Sequence, residues 1–131
     1  MAAALLDTTV LIDVLRGRPV TRARILGMRA TNDVPYACAI GVDEVVRGLR
    51  PSEIDAARQL FEGLRIVPLG AREGWQAGVW RRDFAAAGMT LSQADCLVAA
   101  ATLTVGGRLC TGNPKDFPMT EITVEHWAVG R

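Results

Sequence analysis

Four acidic residues could together bind a divalent metal ion, although they lie far apart along the chain. Asp7 directly follows a short apolar run, and Asp116 follows a later one. Glu44 and Asp95 lie in segments with helical patterns. Carboxylates that converge on one point repel one another unless a cation neutralises them, and all-oxygen ligands suit Mg²⁺ or Mn²⁺. Such a centre can hydrolyse phosphodiester bonds with an activated water, so no protein nucleophile is required.

Alternating strand and helix patterns must position these acids. Short apolar runs predict strands, and apolar residues at intervals of three or four predict the helices between them. The predicted strands are 2–6, 35–40, 66–69 and 108–111, with 122–124 as the candidate for a fifth. The predicted helices cover about 10–15, 20–31, 51–64, 80–87 and 92–105, and a further helix follows the second strand, contains Glu44 and ends near Gly48.

Strands separated by helices predict an α/β fold, in which a mostly parallel central sheet of four to five strands is flanked by helices. Ligands of such sheets bind beyond the carboxyl ends of the strands. Asp7, Glu44 and Asp116 all map to that edge. Asp95 reaches the same edge if its helix runs antiparallel to the strands. One site could therefore contain all four acids.

The composition predicts a single compact domain over residues 1–131. No apolar run approaches the ~20 residues that span a bilayer, and the N-terminal run is too short for a secretory signal. Three scattered cysteines, Cys38, Cys96 and Cys110, are expected to be buried free thiols of a cytoplasmic protein. Basic and acidic residues nearly balance, at 15 and 14. Any contact with nucleic acid must therefore be local.

The four acids stand in ordered motifs that cover nearly the whole chain. These are LLDTTVLID at 5–13, DEVVRG at 43–48, ADCLVAAA at 94–101 and TGNPKDF at 111–117. In this order they resemble the motifs of PIN-domain nucleases, and most closely those of the VapC toxins of the VapBC toxin–antitoxin family. The first and last motifs are the most specific, and the glutamate motif is weak by itself.

The resemblance implies a PIN-like fold and a toxin that acts as a Mg²⁺-dependent endoribonuclease, with Mn²⁺ as a substitute. The implied catalytic and metal-binding acids are Asp7, Glu44, Asp95 and Asp116. The implied supporting polar groups are Thr9, Thr111 and Asn113. An RNA substrate, a homodimer and a cognate VapB-type antitoxin are also implied. Gly41 departs from the family pattern, which often has Ser or Thr there, but we expect glycine to serve as an N-cap.

Each acid also has a structural interpretation. Asp95 lies three residues after Ser92, a spacing typical of helix capping. The turn-forming residues before Asp116 could form a simple turn. Asp43 competes with Glu44, because adjacent helical residues point about 100° apart and only one can face the site. We favour Glu44, since Asp43 could equally be a surface acid.

Other residues near the motifs are expected to be structural. Asp13, on the first helix, is expected to face solvent or to support the site without binding a metal directly. Cys96 and Cys110 adjoin site residues, but their apolar neighbours favour packing over catalysis. Trp75 and Trp80 could stack on bases, although packing in the core or in a dimer is favoured.

Functions of other classes share parts of this pattern. A receiver-like domain would use an aspartate as phosphoacceptor, but the first-strand acid here has no adjacent acidic partner. A haloacid-dehalogenase-like phosphatase would need an aspartate where Thr9 stands. The chain has no G-x-S-x-G or P-loop motif. A nuclease without a toxin role, or a PIN-like fold used only for binding, remains open, and the intact acids favour catalysis.

Overall fold

The centre of the fold is a parallel sheet, as seen in a computed structural model that describes residues 2–131. Within this range the sheet has five strands in the order β3-β2-β1-β4-β5, and all neighbours are parallel. The strands are β1 (Ala3–Leu6), β2 (Val34–Cys38), β3 (Arg65–Val67), β4 (Arg108–Thr111) and β5 (Thr123–His126). The predicted α/β fold with four to five strands is therefore confirmed, and the fifth strand is present.

Six α-helices connect and cover these strands in the described residues. They are α1 (Thr8–Leu15), α2 (Pro19–Thr31), α3 (Ala39–Arg47), α4 (Ile54–Glu62), α5 (Ala71–Ala86) and α6 (Gln93–Val105). Their ends follow local signals: the Asp7 and Ser92 side chains cap α1 and α6, and Gly106 ends α6 in the left-handed region at φ 67°. None of these helices is both long and apolar enough to cross a membrane.

Alternate residues of the strands build a core on each face of the sheet. Leu5 and Leu109 face one side, where they join a cluster with Trp80 of α5 and with α6. Leu6 and Cys110, the next residue in each strand, face the other side and join a cluster with α1 and α2. This two-residue period places apolar side chains on both faces, as expected for a parallel sheet covered by helices.

The strand order reverses between β1 and β4, and this reversal creates a crevice at their carboxyl ends. Leu6 pairs with Cys110, and the Asp7 N–H donates to the Cys110 carbonyl at 3.1 Å. The strands approach closely at their start, because a Cβ on Gly107 would lie 2.2 Å from the Ala3 carbonyl oxygen. Receiver domains have the order 2-1-3-4-5, so the receiver-like alternative is wrong.

Two local predictions differ from the structure around the second strand. Strand β2 ends at Cys38, and Ala39 and Ile40 already belong to α3. Gly41 therefore lies inside the helix, and Cys38 occupies the N-cap position that we expected for Gly41. Gly41 instead lies where α1 and α3 pack closely, since a Cβ there would be 3.0 Å from the Leu11 side chain. Glu44 consequently lies in the second turn of the helix.

Replacing Leu5 by alanine is expected to destabilise the fold by about 2–5 kcal/mol, because it removes a fully buried side chain and leaves a cavity. Urea unfolding monitored by circular dichroism measures the change. The matched control is Leu26→Ala on α2, where the side chain is 61% exposed and a change within about 0.5 kcal/mol is expected. Equal losses in the two variants would contradict the assignment of the core.

Candidate metal-dependent nuclease site

Asp7 is the most tightly held acid at the crevice. It is buried at the end of β1, and its Oδ1 accepts hydrogen bonds from Thr9 Oγ1 at 2.5 Å and from the Val10 N–H at 3.2 Å. Its Oδ2 accepts a hydrogen bond from Thr111 Oγ1, at the end of β4. The same carboxylate therefore caps α1 and joins the two central strands.

Backbone N–H groups orient the two threonine hydroxyls that hold Asp7. The Gly112 N–H donates to Thr9 Oγ1 at 2.9 Å, and the Asn113 N–H donates to Thr111 Oγ1 at 3.0 Å. Each hydroxyl accepts a hydrogen bond from the backbone and donates its own to Asp7. The structure thus brings Thr9 and Thr111 into contact with Asp7, while Asn113 holds Thr111 through its backbone N–H and is one of the residues that line the pocket.

Glu44 and Asp95 reach the same crevice from α3 and α6. Thr8 Oγ1 donates to Glu44 Oε1 at 2.7 Å, which ties the start of α1 to α3. The cap of α6 consists of the Asp95 backbone N–H donating to Ser92 Oγ at 3.0 Å. Capping and site formation are therefore compatible, because the cap uses the backbone of Asp95 while the residue lines the pocket.

The four acids line one small pocket of about 210 Å³. Asp116 reaches it from a short 3-10 turn, Pro114–Asp116, that follows β4. The remaining lining residues are Thr8, Thr9, Val98, Asn113 and Phe117. None of the residues that line this pocket is a lysine, an arginine or a histidine. The pocket therefore concentrates negative charge that no neighbouring cationic side chain in its wall neutralises.

The acids influence one another electrostatically. Burial raises the pKa of Asp7, and the hydrogen bonds from Thr111 and Thr9 oppose that rise. Burial also raises the pKa of Asp95, and repulsion from Asp116, Asp7 and Glu44 adds to the rise. Across residues 2–131, no three His, Cys, Asp or Glu side chains are close enough to form a ready-made metal cage. The carboxylates line the wall of the pocket without converging on one point.

These donors fit Mg²⁺ or Mn²⁺ by their chemistry. Hard divalent cations prefer carboxylate oxygens, and a cation would relieve the repulsion that raises the pKa of Asp95. The residues that could hold it are Asp7, Glu44, Asp95 and Asp116.

Other candidate residues lie outside the pocket. Asp43 is exposed, whereas Glu44 lines the pocket. The three cysteines are free and buried, as predicted, and burial raises the pKa of the Cys110 thiol to about 12, which makes it unreactive. Trp80 is buried and donates to Glu121, whereas Trp75 is 79% exposed, so its expected packing in the core is wrong.

One of the two roles expected for Asp13, that of a residue facing solvent, is wrong. It is buried and does not face solvent. Sequence reasoning also missed Thr8 and Gly112, which bond to Glu44 and Thr9. The Thr8-Thr9 pair directly after Asp7 and the glycine directly after Thr111 are the signals that could have indicated them.

The fold and the acid-lined crevice define a class of protein. The model of the PIN domain family matches residues 4–121, and the chain belongs to this family. The chain is also 26% identical, over 115 residues, to Ribonuclease VapC19 of Mycobacterium tuberculosis, and the match covers 88% of this chain and 92% of that protein.

Solved structures share the fold at low sequence identity. The VapBC2 structure from Rickettsia felis bound to a promoter DNA fragment gives a TM-score of 0.83 at 19% identity, covering 95% of this chain and 98% of that one. The structure of DNA-bound VapBC from Salmonella typhimurium gives a TM-score of 0.82 at 20% identity, and the match covers 97% of this chain and 99% of that one. The predicted PIN fold is thereby confirmed.

Replacing Asp7 by asparagine is expected to stabilise the protein at neutral pH in the absence of divalent cations. Because burial raises the pKa of Asp7 above its ordinary 3.8, the folded chain binds this proton more tightly than the unfolded chain. Stability therefore falls as the pH rises from 3.8 through the raised pKa. Asparagine can still cap α1 and carries no charge to bury.

Thermal unfolding in EDTA at acid and neutral pH measures this effect. The advantage of Asp7→Asn over the unmodified protein should be present at neutral pH and should shrink as the pH approaches 3.8. The exposed Asp43 provides the control, because Asp43→Asn also removes one carboxylate but no buried charge, and it should not raise the melting temperature at neutral pH. A neutral-pH melting temperature of Asp7→Asn below that of the unmodified protein would refute the prediction.

Proposed function

We propose that the chain is the toxin of a type II toxin–antitoxin system, a Mg²⁺-dependent endoribonuclease that hydrolyses RNA phosphodiester bonds by metal-activated water. The observation that carries the proposal is the pocket of four carboxylates, without a cationic side chain in its wall, at the crevice between β1 and β4. Membership of the PIN domain family and the similarity to a protein named as a ribonuclease support the same activity.

The residues of the pocket act by holding charge in fixed positions. Thr9 and Thr111 direct their protons to Asp7 and so favour its ionised form. Thr8 occupies Oε1 of Glu44, and Oε2 is the oxygen that would accept a hydrogen bond from water or bind a cation. When bound, Mg²⁺ lowers the pKa of a coordinated water and neutralises charge on the leaving oxygen.

The same charge makes the pocket unsuitable for RNA on its own. Four carboxylates repel the phosphates of a polyanion, so the acids need a neutralising cation before a phosphodiester can approach. The pocket supports phosphodiester hydrolysis, and RNA as the substrate rests on the similarity to a ribonuclease. Since phosphate contacts carry little information on sequence, the pocket does not define a cleavage sequence.

The proposed partners are a VapB-type antitoxin and a second copy of the chain. The similar structures from Rickettsia felis and Salmonella typhimurium are VapBC complexes bound to DNA, which supports an antitoxin partner here. The proposed compartment is the cytoplasm, because the chain carries three free cysteines, which suit a reducing environment.

Asp7→Asn and Asp95→Asn are each expected to lower Mg²⁺-dependent RNA cleavage by about 100-fold or more, since even groups that merely orient metal ligands contribute about 10–100-fold. A randomised RNA oligonucleotide with a fluorophore and a quencher measures the rate, with and without EDTA. Asp43→Asn is the matched control. Asp43 is exposed beside Glu44, so this variant should retain full activity. Full activity in both site variants would contradict the proposed mechanism.

Expression of the chain in a bacterial host is expected to arrest growth, because a toxin cleaves cellular RNA when its antitoxin is missing. Co-expression of the cognate VapB-type antitoxin should relieve the arrest, and the Asp7→Asn variant should not cause it. Colony counts after induction measure both effects. Cleavage of RNA in vitro without growth arrest would indicate a nuclease without a toxin role.

A further inference from the structure

Asp13 is a buried carboxylate that lies outside the pocket of acids. It is on α1 and only 6% exposed. Its Oδ1 and Oδ2 accept hydrogen bonds from the Gly130 N–H at 3.1 and 2.9 Å, and Oδ2 also accepts one from Thr21 Oγ1 at 2.9 Å. A buried charge is tolerated when it is hydrogen-bonded in this way. Asp13 therefore fastens the C-terminal segment, residues 127–131, to the first helix.

The C-terminal segment also contacts the end of β4, where the pocket begins. Trp127 is 1% exposed, and its backbone N–H donates to the Thr111 carbonyl at 2.8 Å. At the far end of the segment, the Arg131 carbonyl accepts a hydrogen bond from the Val20 N–H at 3.3 Å. The match to the PIN family ends at residue 121, so this segment lies beyond it.

Val129 connects the C-terminal segment to the loop that holds the pocket. A Cβ added to Gly112 would lie 2.7 and 2.9 Å from the two methyl groups of Val129, and 3.2 Å from Thr9 Oγ1. Gly112 is thus packed between the segment and Thr9, with no room for a side chain. Its N–H donates to Thr9 Oγ1, which in turn donates to Asp7.

We propose that Asp13 is a positioning residue for the acidic centre. By holding Gly130, it keeps Val129 against Gly112, and Gly112 keeps the Thr9 hydroxyl aimed at Asp7. The effect on catalysis rests on the proposed ribonuclease function, whereas the effect on the Gly112 loop does not. Asp13 does not line the pocket, and it acts through Gly130 and Val129 of the C-terminal segment and through Gly112.

Asp13→Ala and Val129→Ala test this role with Thr21→Val as the matched control. Val129→Ala removes the methyl groups that contact Gly112, together with their packing against the core cluster. Thr21→Val removes a buried hydrogen bond to the same carboxylate and leaves the bonds from Gly130 in place. Because small displacements of reacting groups are costly, the first two variants should lower kcat about 10–100-fold on the randomised RNA, with KM changed less than about twofold. Thr21→Val should keep kcat, and Asp13→Asn, which retains an acceptor for Gly130, should lose less than Asp13→Ala.

Amide hydrogen exchange measured by NMR without metal or RNA provides the second readout. The Gly112 amide should exchange at least about tenfold faster in Asp13→Ala and Val129→Ala, and at its normal rate in Thr21→Val. Unchanged exchange at Gly112 in the first two variants would overturn the proposal, as would an equal loss of kcat in Thr21→Val. If the unmodified protein cleaves no RNA, the proposed function fails, and the exchange at Gly112 still decides the role of Asp13.

Discussion

A carboxylate that is almost completely removed from water, as Asp7 is, must have its charge satisfied by the groups around it. Here the donors are two threonine hydroxyls and one helix N–H, and each hydroxyl is itself oriented by a backbone amide. The arrangement requires the end of β1, the start of α1 and the loop after β4 to lie together. Burial favours the neutral form of Asp7 and hydrogen bonding favours the ionised form, so the position of these donors acts on the charge of this one acid.

The order of the strands brings the end of β1 and the loop after β4 together. Because β1 and β4 are neighbours, although about 100 residues separate them, their carboxyl ends open into a common crevice. Helices α3 and α6 then bring one acid each to the same place. The 3-10 turn after β4 adds the last acid at the exposed rim. The site is therefore a product of topology, with each acid contributed by a different element.

Much of this arrangement could be predicted from local patterns. The apolar run before Asp7 and the turn residues before Asp116 indicate strand ends, and the parallel alternation indicates that such ends share an edge. Glu44 could be preferred to Asp43 only weakly from the sequence, since both fit a helix. The structure separates them through the Thr8 hydrogen bond and the exposure of Asp43.

Contacts between distant segments could not be predicted from these patterns. In the sequence Asp13 looks like an ordinary polar residue on a helix. Its partner Gly130 is far away along the chain and bonds through its backbone N–H, so no residue type indicates the contact. The packing of Val129 on Gly112 is equally hidden. The exposure of Trp75 and the burial of Trp80 depend on which side of α5 packs against α6, and a helix rich in both apolar and charged residues leaves that side undetermined.

The close packing at Gly41 has a consequence for how such a pocket can change during evolution. Asp7 stands at the start of α1 and Glu44 on α3, so the spacing of these two helices sets the distance across the acidic pocket. Helix α3 approaches Leu11 so closely that one methyl group at position 41 would lie 3.0 Å from the end of the leucine side chain, which would have to shift slightly. A larger side chain at this position would press on both helices, and it would act on the separation of Asp7 and Glu44 while leaving both acids unchanged.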